Sequence, residues 1–214
     1  LWLWHVTLNN GRELHRTSFH NRVSLIIAKI RNDLHDNEKV LLGCIGLFAA
    51  SNEVSRAKWR RFTEIVDPAR TLPGSFGLGF ASRVVSADLA SHVQRIRAEG
   101  FASYTVKPEG ERAEYFPVTY IEPFRDQNLR AFGYDTFSEP RRRAAMERAR
   151  DEARSAISER VTLVQEDPGQ NVPYGFMLYH PLYSADVSSA TVDDRRKFLQ
   201  GFVYVPIRFG DFLN

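Results

Sequence analysis

The sequence predicts an α+β domain led by one long helix, and three observations carry that prediction. From His20 to Phe48, seam residues recur in alternating steps of three and four, the period of a long packed helix. Further on, strand-like runs bounded by Gly, Pro and Asp stand between single helical segments. No strict strand–helix–strand repeat links them, which argues against a doubly wound parallel sheet. With 214 residues, 43% of them hydrophobic and 26% charged, the chain can bury a core and is not disordered, collagen-like or of low complexity.

The seam comprises His20, Val23, Ile27, Ile30, Leu34, Asn37, Leu41, Cys44 and Phe48. Such a stripe packs either against a second copy as a dimer stalk or along the chain's own sheet, and Asn37 favours a single register in the first case. Ser51 is expected to cap a second helix through Trp59 and Phe62, which Asp67-Pro68 ends. Gly77 to Val85 reads as a strand entered through glycines, and Ser86 then caps a helix closed by Gly100. Phe101 to Val106 and Glu114 to Ile121 read as strands, the second held to an edge or a strand start by Pro117. Ser138-Glu-Pro140 opens a helix to about Ser155, with proline in the first turn. Val161 to Glu166 and Tyr174 to Tyr183 form a hairpin around Asp167-Pro-Gly169. Thr191 and Asp194 make a capping box for a short helix, and Gly201 to Phe209 is the last strand.

Several kinds of chemistry lack their residues. Gly74-Ser-Phe-Gly77-Leu-Gly79 has neither the Lys-Ser/Thr of a phosphate loop nor the third glycine of a dinucleotide fold. The six histidines show no metal-ligand spacing, so no metal and no cofactor is expected. Cys44 falls inside the helix seam and reads as a core thiol, and a single cysteine allows no intrachain disulfide. The net charge of +3 does not demand nucleic acid. The arginines of the 139–155 helix alternate with Glu147, Asp151 and Glu152, and the pairs Arg143–Glu147 and Arg148–Glu152 suit a solvated helix face better than a phosphate reader. The uncharged run Val40 to Asn52 falls short of the roughly 20 apolar residues of a spanning helix. The opening Leu1-Trp2-Leu3-Trp4 suits either the aqueous edge of a membrane span just ahead of it or packing on a core.

Residues 115 to 183 carry the most specific signals: Tyr120-Ile-Glu-Pro123, Asn128, Gly133-Tyr-Asp135, Ser138-Glu-Pro-Arg-Arg142, Arg148-Ala-Arg150-Asp151, Val161-Thr-Leu-Val-Gln165 and Gly175-Phe-Met-Leu-Tyr-His-Pro-Leu-Tyr183. In this order they resemble the CHASE family, the extracytoplasmic sensory domains of histidine kinases and nucleotide cyclases, the plant cytokinin receptors included. Gly46-Leu-Phe-Ala-Ala-Ser51, Trp59-Arg-Arg-Phe62 and Gly77-Leu-Gly79-Phe-Ala extend the resemblance to roughly residues 40–214.

The resemblance implies a layout of 1–62 as stalk and following helix, 63–183 as a distal PAS-like ligand-binding module, and 184–214 as the start of an incomplete proximal PAS-like module. It also implies a small-molecule ligand, purine-like in the cytokinin-binding members. It implies a homodimer, transmembrane helices flanking the chain, an extracytoplasmic position at the cell membrane, and catalysis located outside the domain. Asp135 matches the aspartate that accepts hydrogen bonds from the ligand in those receptors; the other reading of Asp135 is a turn ligand to its own backbone. Ile157 falls near the residue whose backbone meets the ligand there. Tyr120 joins the candidate site, and Phe176, Leu178 and His180, alternating along one strand, are the expected pocket wall. A carboxylate-based hydrolase and an arginine-helix nucleic-acid binder are the rival functions.

Overall fold

The computed structural model describes the backbone of residues 2–72, 74–75, 77–165, 174–184 and 191–212, with side chains of these described from residue 19 to residue 210. The first element, α1 (Trp2–Ala49), is one continuous helix of 48 residues, a rod of about 70 Å at 1.5 Å per residue. The side chains of Trp2 and Trp4 lie outside the described residues. The C-terminal part of the seam packs along the chain's own sheet. Asn37, Leu41 and Cys44 are buried within the chain, with Ile30, Leu34 and Phe48 half-buried beside them. Further up, Leu25, Ile26 and Ile27 are each at least half exposed, so an apolar stretch of the rod is left uncovered. Burial raises the pKa of the Cys44 thiol, which keeps it protonated and inert.

A second helix, α2 (Arg56–Val66), begins four residues later than the Ser51 cap implies, because Ser55 Oγ accepts the N–H of Lys58. Asp67, at φ 48°, ends it and leads into the short α3 (Pro68–Thr71). Trp59 of α2 is buried and stacks on Tyr120 at 5.8 Å. The glycine-entered strand is β1 (Leu78–Ser82), followed by β2 (Val84–Val85). A 3-10 turn at Ser86–Asp88 precedes α4 (Leu89–Ala98), where no side chain caps the helix.

Residues 101–106 form turns and irregular chain and not the expected strand. The next run is split into β3 (Glu114–Tyr115) and β4 (Val118–Glu122), with the break at Phe116-Pro117. Proline cannot donate to a ladder, and Asp135 takes the Phe116 N–H instead. The predicted helix is α5 (Pro140–Glu152), capped by Glu139, whose carboxylate accepts the N–H groups of Arg141 and Arg142. After it come β5 (Ala156–Ile157), β6 (Val161–Thr162) and β7 (Tyr174–Tyr183); the Asp167-Pro-Gly169 turn lies outside the described residues. Thr191 caps α6 (Val192–Phe198) as its box predicts, and β8 (Leu199–Arg208) and α7 (Phe209–Phe212) follow.

One antiparallel sheet runs β4–β1–β8–β7–β5, with β6 also on β7. This corrects the division at residue 184. The strand assigned to a second module, β8, lies between β1 and β7 at the centre of the first module's sheet and pairs with β7 over nearly its whole length. The physical reason is non-local: antiparallel pairing couples strands remote in sequence, and local pattern does not report which.

His92 of α4 is buried and shares a hydrogen bond of 2.9 Å with the Tyr104 hydroxyl. Burial, with the nearby Arg95 and Arg56 charges, depresses its pKa to about 4. The unfolded chain protonates His92 first, near pH 6.5, so the contribution is complete above that pH and is lost as pH falls toward 4. We expect the urea midpoint to drop between pH 7 and pH 5, reaching a loss of about 3 kcal/mol near pH 4, and His92→Gln to flatten that dependence. An unchanged slope in the variant would exclude His92 as the source.

Candidate ligand-binding site

The sheet separates two apolar layers. On one face Leu78, Phe80, Leu178, Val203, Val205 and Ile207 pack with Leu41 and Cys44 of α1 and Trp59 of α2. On the other, Ala81, Val118, Met177, Tyr179, Phe202 and Tyr204 pack with Ala145, Met146 and Ala149 of α5 and with Phe116 and Phe137. Because strand side chains alternate, β7 and β8 send successive residues to opposite layers.

That alternation splits the expected site. Phe176, Leu178 and Ile157 belong to the layer facing α1, whereas Asp135 braces the segment that carries Phe116 and Phe137 in the layer facing α5. Ile157 and Phe176 line a groove of about 570 Å³ between α1 and the β5–β6 edge, together with Ile30, Leu34 and Arg160. Ile157 and Leu178 border a second, of about 470 Å³, beside Arg31, His35 and Glu38. The Ile157 carbonyl accepts from Arg148 at 2.6 Å. Tyr120 is engaged in the chain's own packing: its ring stacks on Trp59 and its hydroxyl donates to the Val54 carbonyl at 2.7 Å. His180 Nδ1 lies 2.9 Å from Ser155 Oγ, and burial depresses its pKa. The six candidates therefore do not converge. The β7 residues that share the α5-facing layer with the Asp135 turn are Met177 and Tyr179, of the opposite strand parity to Phe176, Leu178 and His180.

Asp135 is fully buried. Its Oδ1 accepts from Phe116 N at 2.8 Å and from Phe137 N at 3.1 Å, the turn-ligand arrangement. Its Oδ2 is 3.5 Å from Arg112 Nη1 and has no hydrogen-bond partner. Burial raises the carboxyl pKa against the pull of the two backbone donors and Arg112. One oxygen is thus structural, and the other is a buried acceptor without a donor.

Sequence reasoning missed Arg142, Tyr179 and Tyr204, which are all buried in this same layer. Arg142 Nε and both tyrosine hydroxyls lack hydrogen-bond partners. Strand parity is the signal that marks the tyrosines, once the face covered by α1 is known. The other arginines of α5 are spent within the chain: Arg143 donates to the Phe137 carbonyl at 2.8 Å, Arg148 to that of Ile157, Arg141 to that of Arg160 at 2.9 Å, and Arg150 to Asp151 at 2.7 Å. The expected pairs with Glu147 and Glu152 give way to these carbonyl clamps. Among the described residues no three His, Cys, Asp or Glu side chains cluster to hold a metal ion, and no helix is long and apolar enough to cross a membrane.

The family model of the CHASE domain matches residues 52–214. Two solved structures share the fold: an extracellular ligand-binding receptor from Desulfohalobium retbaense, and the ligand-binding domain of the Pseudomonas aeruginosa amino acid chemoreceptor PctC in complex with GABA. The first has a TM-score of 0.50 and 10% identity over 88% of this chain and 25% of its own. The second has a TM-score of 0.50 and 11% identity over 89% of this chain and 64% of its own, so the chain spans less than two thirds of either. No curated protein sequence matches the chain.

Proposed function

This chain belongs to the CHASE domain family and is an extracytoplasmic sensing domain; from that premise we propose that it binds a small molecule in the layer between the sheet and α5 and passes the event to α1. The observation that supports this reading is the sharing of two strands. Tyr179 and Tyr204 face the α5 layer, while their neighbours Leu178, Val203 and Val205 carry Leu41 and Cys44 of α1. A ligand that repacks one face of β7 and β8 must shift the other, because close-packed cores transmit strain. Ligand binding alters the output only through unequal affinity for two arrangements of the rod.

In this reading Asp135 Oδ2 is a candidate ligand acceptor, and the exposed apolar stretch around Leu25, Ile26 and Ile27 pairs with a second copy. The parent protein is a membrane receptor of the histidine-kinase or nucleotide-cyclase type, and the reaction it controls is catalysed outside this domain. The resemblance to an amino acid chemoreceptor domain makes amino acids as reasonable a first panel as purines.

The test is a thermal-shift panel of purines, amino acids and organic acids on the purified chain, with the stabilising compound recovered and checked by NMR. We expect at least one compound to raise the unfolding midpoint and to be recovered unchanged. Conversion to a product would favour the hydrolase reading, and a midpoint unmoved by every class would remove the sensing assignment from this layer.

A further inference from the structure

We propose that Arg142, Tyr179 and Tyr204 form the anchoring point for the carboxylate of a small organic acid with an apolar or aromatic body. The inference rests on the α5-facing layer being the ligand compartment and names the class of ligand.

Three elements bring these groups together: the first turn of α5, the middle of β7 and the middle of β8. Tyr179 and Tyr204 have ring centroids 5.9 Å apart, and the Arg142 guanidinium lies over the Tyr134 ring at 5.2 Å and interacts electrostatically with both hydroxyls. Arg142 is 2% exposed, Tyr179 0% and Tyr204 1%, yet Arg142 Nε and the Tyr204 hydroxyl lack hydrogen-bond partners, and the Tyr179 hydroxyl has the Arg142 guanidinium within reach but no well-formed bond. Burying a polar group without a good partner is costly, so these groups in one place call for a common partner. Arginine can only donate, one Nη2 hydrogen is already given to the Thr162 carbonyl at 2.8 Å, and the hydroxyls stay protonated because burial raises both tyrosine pKa values, that of Tyr179 to about 12. A set of donors beside a fixed positive charge fits a carboxylate, which accepts at both oxygens. Glu139, a carboxylate that acts electrostatically on Tyr179, is already committed to capping α5.

The rest of the layer decides the body of the ligand. Phe116, Phe137, Phe202, Met146 and Met177 surround the cluster and offer apolar surface. The described residues of the layer are buried, so entry among them costs a rearrangement of side chains. Phe137, at 9% the most exposed of the layer's buried rings, is well placed to give way. Gly79 completes the arrangement: a Cβ there would fall 2.3 Å from Tyr204 Cζ, so only glycine leaves the hydroxyl where it is.

The test compares benzoate and phenylacetate with benzamide and phenylacetamide, using calorimetry on wild type, Tyr179→Phe, Tyr204→Phe and Arg142→Lys. We expect the acids and not the amides to bind, and each Tyr→Phe variant to weaken binding about tenfold while folding as stably as wild type or more so, since it removes an unpartnered buried hydroxyl. Arg142 also clamps Thr162, which is why the tyrosine variants carry the decision. Equal binding of acids and amides overturns the inference. So do destabilised Tyr→Phe variants with unaltered binding, which would assign the hydroxyls to structural water. If the acids fail and a purine or cationic amine binds, the carboxylate class falls and the sensing function stands; if nothing in the wider panel binds, both fall.

Discussion

Asp135→Ala is expected to lower the folding free energy by about 3 kcal/mol, whatever its effect on a ligand. The substitution strands the Phe116 and Phe137 N–H groups, both donors to Asp135 Oδ1 in a site closed to solvent. Each buried donor left without an acceptor costs about 1–3 kcal/mol, and relief of the buried charge returns part of that sum. Asp135→Asn keeps a carbonyl acceptor for the same two donors and should lose less than half as much. Urea unfolding with an unchanged m-value reads the difference, and a loss below about 1 kcal/mol for the alanine variant would show that Asp135 does not brace this turn. A binding measurement on Asp135 therefore belongs to the asparagine variant, which remains folded while Oδ2 changes its chemistry.

Gly133→Ala is expected to cost at least as much, about 3 kcal/mol or more. Gly133 sits at φ +81°, where a side chain costs about 1–2 kcal/mol, and its added Cβ would fall 2.2 Å from the Thr105 carbonyl oxygen. That neighbour is backbone and cannot swing away. The Gly133 N–H donates to Val118 and its carbonyl accepts from Lys107, so any displacement moves β4 and the Asp135 turn together. Gly100→Ala is the control: φ is +104°, but nothing lies within 4 Å of its added Cβ. Thermal or urea denaturation should rank Gly133→Ala well below Gly100→Ala. Equal losses would mean that backbone conformation alone accounts for both and that the close approach to Thr105 is tolerated.

These two residues show where local reading succeeds. Gly133-Tyr-Asp135 stands out in the sequence through the family resemblance, and the turn-ligand reading of Asp135 has its counterpart in Oδ1, which accepts from its own backbone, while Oδ2 is buried without a hydrogen-bond partner. Thr191 and the proline-opened α5 were also legible, because caps and fixed φ angles are properties of a few adjacent residues. Ser51 misled because Ser55, four residues on, offers the same chemistry and only the helix start selects between them.

The sequence by itself determined the α+β class, the long helix, most strand and helix identities, the motif order shared with the CHASE family and Asp135 as a residue of interest. Each of these depends on periodicity, capping or short motifs, which act over one or two turns of chain. Tertiary structure alone decided that β8 lies at the centre of the sheet, that α1 covers the face bearing Leu178, and that the opposite parity of β7 and β8 brings Tyr179 and Tyr204 to Arg142. The reason is geometric. A strand shows the same two-residue alternation whichever face is inward, so its pattern names two sets of residues, and only the partner packed on one face says which set meets the site.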